Sequence, residues 1–123
     1  MVVQDRSPMK KIQPPTEKKE ERQCIALYEQ VGCVVIKFSQ AQKAQQTAGI
    51  ADLLVLCPSL KTSWWHEVKR RQGPEYYKIQ HGQSFHQEVF EQNVRSVGMT
   101  YIIGPLSAAK DKLVELGVLS SIR

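Results

Sequence analysis

Apolar residues recur along this chain with two different periods, and each change of period marks a new element. Cys24, Leu27, Tyr28 and Val31 share one face of a 3.6-residue repeat, so residues 17–30 are predicted to form a helix, with Thr16 as N-cap and Gly32 at its end. The stretch CVVIKFS, residues 33–39, is β-branched and predicts a strand. Leu53 to Cys57 and Thr62 to Lys69 are two further runs, and Pro58-Ser59-Leu60-Lys61 supplies turn chemistry between them, which predicts an antiparallel hairpin. Phe85, Val89, Phe90, Val94 and Val97 then space an apolar stripe along a helix over 84–97. Residues 99–103 read as a short strand, Gly104-Pro105 as a turn, and Ala109, Leu113 and Leu116 mark a closing helix over 107–116. This order predicts an α/β fold with a mixed central sheet of about four strands flanked by helices.

Two stretches stand outside that pattern. Residues 1–15 mix Pro8, Pro14 and Pro15 with charges and are expected to form a mobile arm ahead of a single domain over 16–123. Residues 40–48, QAQKAQQTA, form a polar linker in which Lys43 is a candidate phosphate contact.

A chain of 123 residues can bury a core without disulfides. Its cysteines, Cys24, Cys33 and Cys57, are odd in number and lack a C-x-x-C pair, so they predict buried apolar residues rather than bridges or a zinc site. No stretch approaches a membrane span, so an intracellular, cytoplasmic protein is expected, with no membrane partner. Seventeen Lys and Arg against twelve Asp and Glu give a net charge of +5, which favours a polyanionic partner.

The hairpin gathers chemistry at one end. Antiparallel pairing brings Asp52, at the head of the first strand, beside Glu67-Val68-Lys69 at the close of the second. Glu67 and Lys69 share a face, roughly 6–7 Å apart, while Val68 points to the other. Two carboxylates suit Mg²⁺ or Mn²⁺, and a lysine beside them can stabilise charge developing on a phosphate. Trp65 shares the face of Glu67. Core packing is expected of both indoles, with base stacking as the alternative for Trp65. His66 faces away from the acidic pair, and neither His81 nor His86 has the spacing of a zinc ligand. After Lys69 the chain is basic and aromatic, and Arg70, Arg71 and Lys78, with Tyr76 and Tyr77, are candidate DNA contacts.

Gly49-x-x-Asp52, a short hairpin, Glu67-x-Lys69, then a helix with Gln87-x-x-Phe90, Val94 and Gly98 resembles the VRR-NUC domain of the PD-(D/E)xK nuclease superfamily. The resemblance spans residues 17–104 and implies a restriction-endonuclease-like fold. Ala51 stands where the family has proline, which loses a rigid φ but no ligand. The resemblance further implies hydrolysis of DNA phosphodiesters with Mg²⁺ or Mn²⁺ held by Asp52, Glu67 and the Val68 carbonyl, with Lys69 and Gln87 in the active site. The family also places a glutamate on the first helix. Glu20 is favoured by its spacing to Gln23, with Glu17 and Glu21 as alternatives. Small stand-alone members resemble phage-type Holliday-junction resolvases, which implies branched DNA as substrate, a homodimer, and a phage or bacterial host cytoplasm as setting. The rival expectation is a non-catalytic nucleic-acid-binding module on the same fold.

Overall fold

The structure, a computed structural model, describes residues 16–38, 47–70 and 84–120. The expected N-terminal arm, Lys43 with most of its linker, and Arg71, Tyr76, Tyr77, Lys78 and His81 lie outside the described residues.

Helix α1 runs from Glu17 to Gln30, and its first turn is closed by the Thr16 hydroxyl, which accepts from Lys19 N at 3.1 Å. Four strands follow in one sheet: β1 (Val34–Lys37), β2 (Leu53–Cys57), β3 (Thr62–Val68) and β4 (Thr100–Gly104), in the order β1-β2-β3-β4. The β1–β2 and β2–β3 pairs are antiparallel, as short connections permit. The β3–β4 pair is parallel because helix α2 (Phe85–Ser96) lies between the two strands in the chain and carries it back to the same end. Helix α3 (Leu106–Glu115) closes the domain. The predicted α/β class, element order and mixed four-stranded sheet are all present. The hairpin register sets Leu53 opposite His66 and Cys57 opposite Thr62, with Pro58–Leu60 forming a single 3₁₀ turn.

Alternation along β3 divides the core. Trp64 and Val68 join Cys24, Tyr28, Leu53, Val55, Ala109 and Leu113 in the layer covered by α1 and α3. On the opposite face Trp65 packs against Phe90, Ala51, Val94 and Tyr101 beneath α2. Trp65 meets Phe90 edge-on at 5.0 Å between ring centroids and Phe38 at 5.6 Å, so its indole is a packing residue. All three cysteines are buried thiols.

One expectation about α2 is corrected. The stripe Phe85, Val89, Phe90, Val94, Val97 does not face the sheet as a whole, since Phe85 and Val97 are more than 70% exposed and Val89 is exposed as well. The face turned inward is Gln87, Phe90, Glu91 and Val94, the i, i+3, i+4, i+7 set. Two of its four positions are polar, so apolar spacing alone found Phe90 and Val94 but misplaced Phe85, Val89 and Val97. Among the described residues, no helix is long and apolar enough to cross a membrane.

Candidate active site

The site forms where β2 begins and β3 ends. Asp52 precedes β2, and its Oδ2 accepts from Val68 N at 2.8 Å, so the carboxylate is tied across the hairpin to the residue between Glu67 and Lys69. Glu67 is 3% exposed and Lys69 Nζ lies 3.6 Å from its Oε2. The convergence of Asp52, Glu67 and Lys69 expected from pairing is therefore present, and Val68 contributes its backbone at the centre while its side chain enters the core.

Gln87 completes this arrangement from the opposite layer. Ser84 and Gln87 form a reciprocal capping box, Gln87 N donating to Ser84 Oγ at 3.2 Å and Ser84 N to Gln87 Oε1 at 3.0 Å. With its oxygen engaged there, the amide presents Nε2 to Glu67 Oε2 at 2.8 Å. The glutamine thus holds the carboxylate itself. That contact fixes one oxygen of Glu67 and leaves Oε1 buried without a hydrogen-bond partner among the described residues.

Helix α2 reaches Glu67 because Gly49 lets it approach. Gly49 has φ +80°, and a Cβ built there would collide with the backbone of His86 and Gln87. Gly49→Ala is therefore expected to destabilise the protein by on the order of 1–3 kcal/mol and to move the α2 N-terminus away from Glu67. Urea denaturation checks the first effect. A midpoint equal to wild type would show that the helix gives way without cost.

The electrostatics fit a cation. Burial pushes Glu67 up to about 8, with the Asp52 charge adding to the rise and Lys69 opposing it. Burial likewise raises Asp52 to about 6, opposed by the Val68 N–H and assisted by Glu21 and Glu17. Two desolvated carboxylates, one with an orphaned oxygen, are the donor set a divalent ion relieves. Among the described residues no three His, Cys, Asp or Glu side chains form a complete protein cage.

The first-helix glutamate departs from expectation. Glu20 is fully buried, and its Oε1 accepts from Leu106 N at 2.9 Å. It thereby satisfies the N-terminus of α3, where Pro105 gives no side-chain cap. The α1 carboxylates whose charge reaches Asp52 are Glu21, 4% exposed and 3.6 Å from Lys37 Nζ, and Glu17, which also acts on Glu67. Arg70 is half-buried and already engaged within the protein. Its companions Arg71, Lys78 and Lys43 lie outside the described residues.

His66 has a place that strand alternation did not reveal. Its Nε2 lies 2.9 Å from Gly104 O, its Nδ1 lies 2.8 Å from Tyr28 OH, and Trp64 Nε1 donates to the same hydroxyl at 3.2 Å. A carbonyl only accepts, so Nε2 carries the proton, and Tyr28 donates to Nδ1. Burial lowers the imidazole to about 4, which keeps it neutral.

Comparison with known proteins bears on the fold. No protein-family profile and no curated protein matches the chain. A solved structure described as a VRR_NUC domain is similar at 25% identity and a TM-score of 0.60, the match covering 81% of this chain and 95% of that one.

Proposed function

We propose, from the premise that the chain carries a VRR-NUC domain, a nuclease-type domain, that it is a divalent-metal-dependent endonuclease acting on branched DNA such as a Holliday junction. The observation that carries this reading is the half-buried Asp52 beside the buried Glu67, whose Oε1 meets no donor among the described residues, with Lys69 next to it.

In this reading Asp52, Glu67 and the Val68 carbonyl would hold Mg²⁺ or Mn²⁺, with Glu21 as the first-helix carboxylate in place of Glu20. Such an ion, when bound, would supply Lewis-acid polarisation of a phosphoryl oxygen and a more acidic water. The chain's own groups do the rest. Gln87 fixes the rotamer of Glu67 through its amide, so the carboxylate is preorganised rather than free to turn. Lys69, with only 11% of its side chain exposed, presents an ammonium whose charge is little screened, suited to the oxyanion that develops on phosphate. Val68 N holds Asp52 in place. Arg70, Arg71, Lys78 and Lys43 are assigned to the DNA backbone, and a homodimer is assigned because one site cuts one strand at a time.

The test is cleavage of a panel of Holliday junction, flap, single-stranded and linear duplex DNA with Mg²⁺, Mn²⁺ or chelator. Metal-dependent cutting that favours branched DNA is expected. Salt-sensitive binding with no cleavage of any substrate would replace the enzyme by a nucleic-acid-binding module.

A further inference from the structure

Gly104 is a junction where four elements meet. Its carbonyl accepts from His66 Nε2 at 2.9 Å and from Lys69 N at 3.1 Å. Its φ is +145°, and a Cβ on it would come within 2.9 Å of Ala108 Cβ in α3, so glycine is required for both backbone direction and helix approach. Two residues further on, Leu106 N is taken by Glu20 of α1. The β3–β4 ladder ends at Val68 opposite Gly104, so the bond from Lys69 N is the last backbone restraint on the lysine that β3 delivers to the site.

We propose that His66 is a positioning residue for Lys69, acting through the Gly104 carbonyl. The inference rests on the reading of Lys69 as the site's cation. Trp64 N–H fixes the Tyr28 hydroxyl, Tyr28 O–H fills His66 Nδ1 and thereby commits the ring proton to Nε2, and Nε2–H holds the carbonyl that anchors Lys69. His66 is fully buried, and strand alternation sets its imidazole on the face of β3 opposite Glu67, where its ring nitrogens meet Tyr28 and Gly104.

A double-mutant cycle on the single-turnover cleavage rate tests this, using His66→Phe, Lys69→Ala and the combined variant. His66→Phe is expected to slow cleavage about tenfold, the size of one lost anchoring hydrogen bond, with DNA affinity within about twofold of wild type. The combined variant should be no slower than Lys69→Ala alone, because the histidine acts only through the lysine. A purely packing role predicts that the two losses multiply, and that result overturns the proposal. Should His66→Phe fail to fold, Tyr28→Phe carries the same cycle, since it leaves the imidazole in place and removes the hydroxyl that fills Nδ1 and accepts from Trp64 Nε1. A second readout needs no activity: hydrogen exchange of the Lys69 amide in metal-free protein should quicken about tenfold in Tyr28→Phe. Unchanged protection overturns the anchor even if the enzyme cleaves normally. If wild type cleaves nothing, the nuclease reading falls, and loss of protection still establishes the anchor.

Discussion

Glu67→Gln is expected to abolish cleavage while leaving a protein that folds and binds DNA. Glu67 is isolated from solvent with one oxygen unpartnered among the described residues, an arrangement that costs stability when charged and that stands beside Asp52 and Lys69. An amide of the same shape keeps an oxygen for Gln87 Nε2 and removes the charge a metal requires. Unchanged cleavage by a verified Glu67→Gln protein would sink the assignment.

The same variant carries a pH signature with a definite sign. In chelator the folded Glu67 binds its proton up to about 8, whereas an unfolded glutamate releases it near its ordinary value of 4.5. Between those values the native state holds more protons, so wild-type stability falls as pH rises from 4.5 to about 8 and levels off above. Asp52 adds the same trend between 3.8 and about 6 in both proteins. Glu67→Gln removes the first contribution, so its melting temperature should exceed wild type by on the order of 5 °C at pH near 8, the difference vanishing below pH of about 4.5. Thermal scans across that range measure it, and a gap independent of pH would mean that Glu67 is not held protonated by the fold. Divalent metal displaces the proton, so its own stabilisation of wild type should grow over the same window.

Lys69→Ala is expected to slow the chemical step by roughly 2.7–4 kcal/mol, the range found on removing one preorganised electrostatic donor. Its ammonium is the cation that opposes protonation of Glu67, so its loss leaves that carboxyl protonated to higher pH. Metal affinity should therefore weaken near neutrality and recover as pH rises, while the rate deficit persists at saturating metal. Metal titration with single-turnover cleavage at two pH values separates these effects. A deficit that disappears with added metal would move Lys69 from catalysis to support of the metal site.

Local patterning was enough to locate most of this molecule. Thr16 as N-cap, the strands on either side of Pro58–Leu60 and the closing helix with Ala109 and Leu113 inward all follow from capping, turn chemistry and periodicity, because each depends on residues within one or two turns of one another. The convergence of Asp52, Glu67 and Lys69 was legible for the same reason, since a short hairpin converts sequence spacing into neighbourhood. Spacing failed where the answer depended on another layer. Periodicity placed Phe85 and Val89 inward on α2, yet the helix is turned so that Gln87 reaches Glu67, a contact with a residue twenty positions away. Glu20 and Glu21 are adjacent in sequence, and nothing local decides that one caps α3 while the other sits in the field of Asp52. Alternation sent His66 away from the site but did not show that it meets Tyr28 and Gly104, each thirty-eight positions distant. A hydrogen bond between distant residues is fixed by the packing of helices on the sheet, so only the tertiary structure decided which polar side chain each buried donor or acceptor would meet.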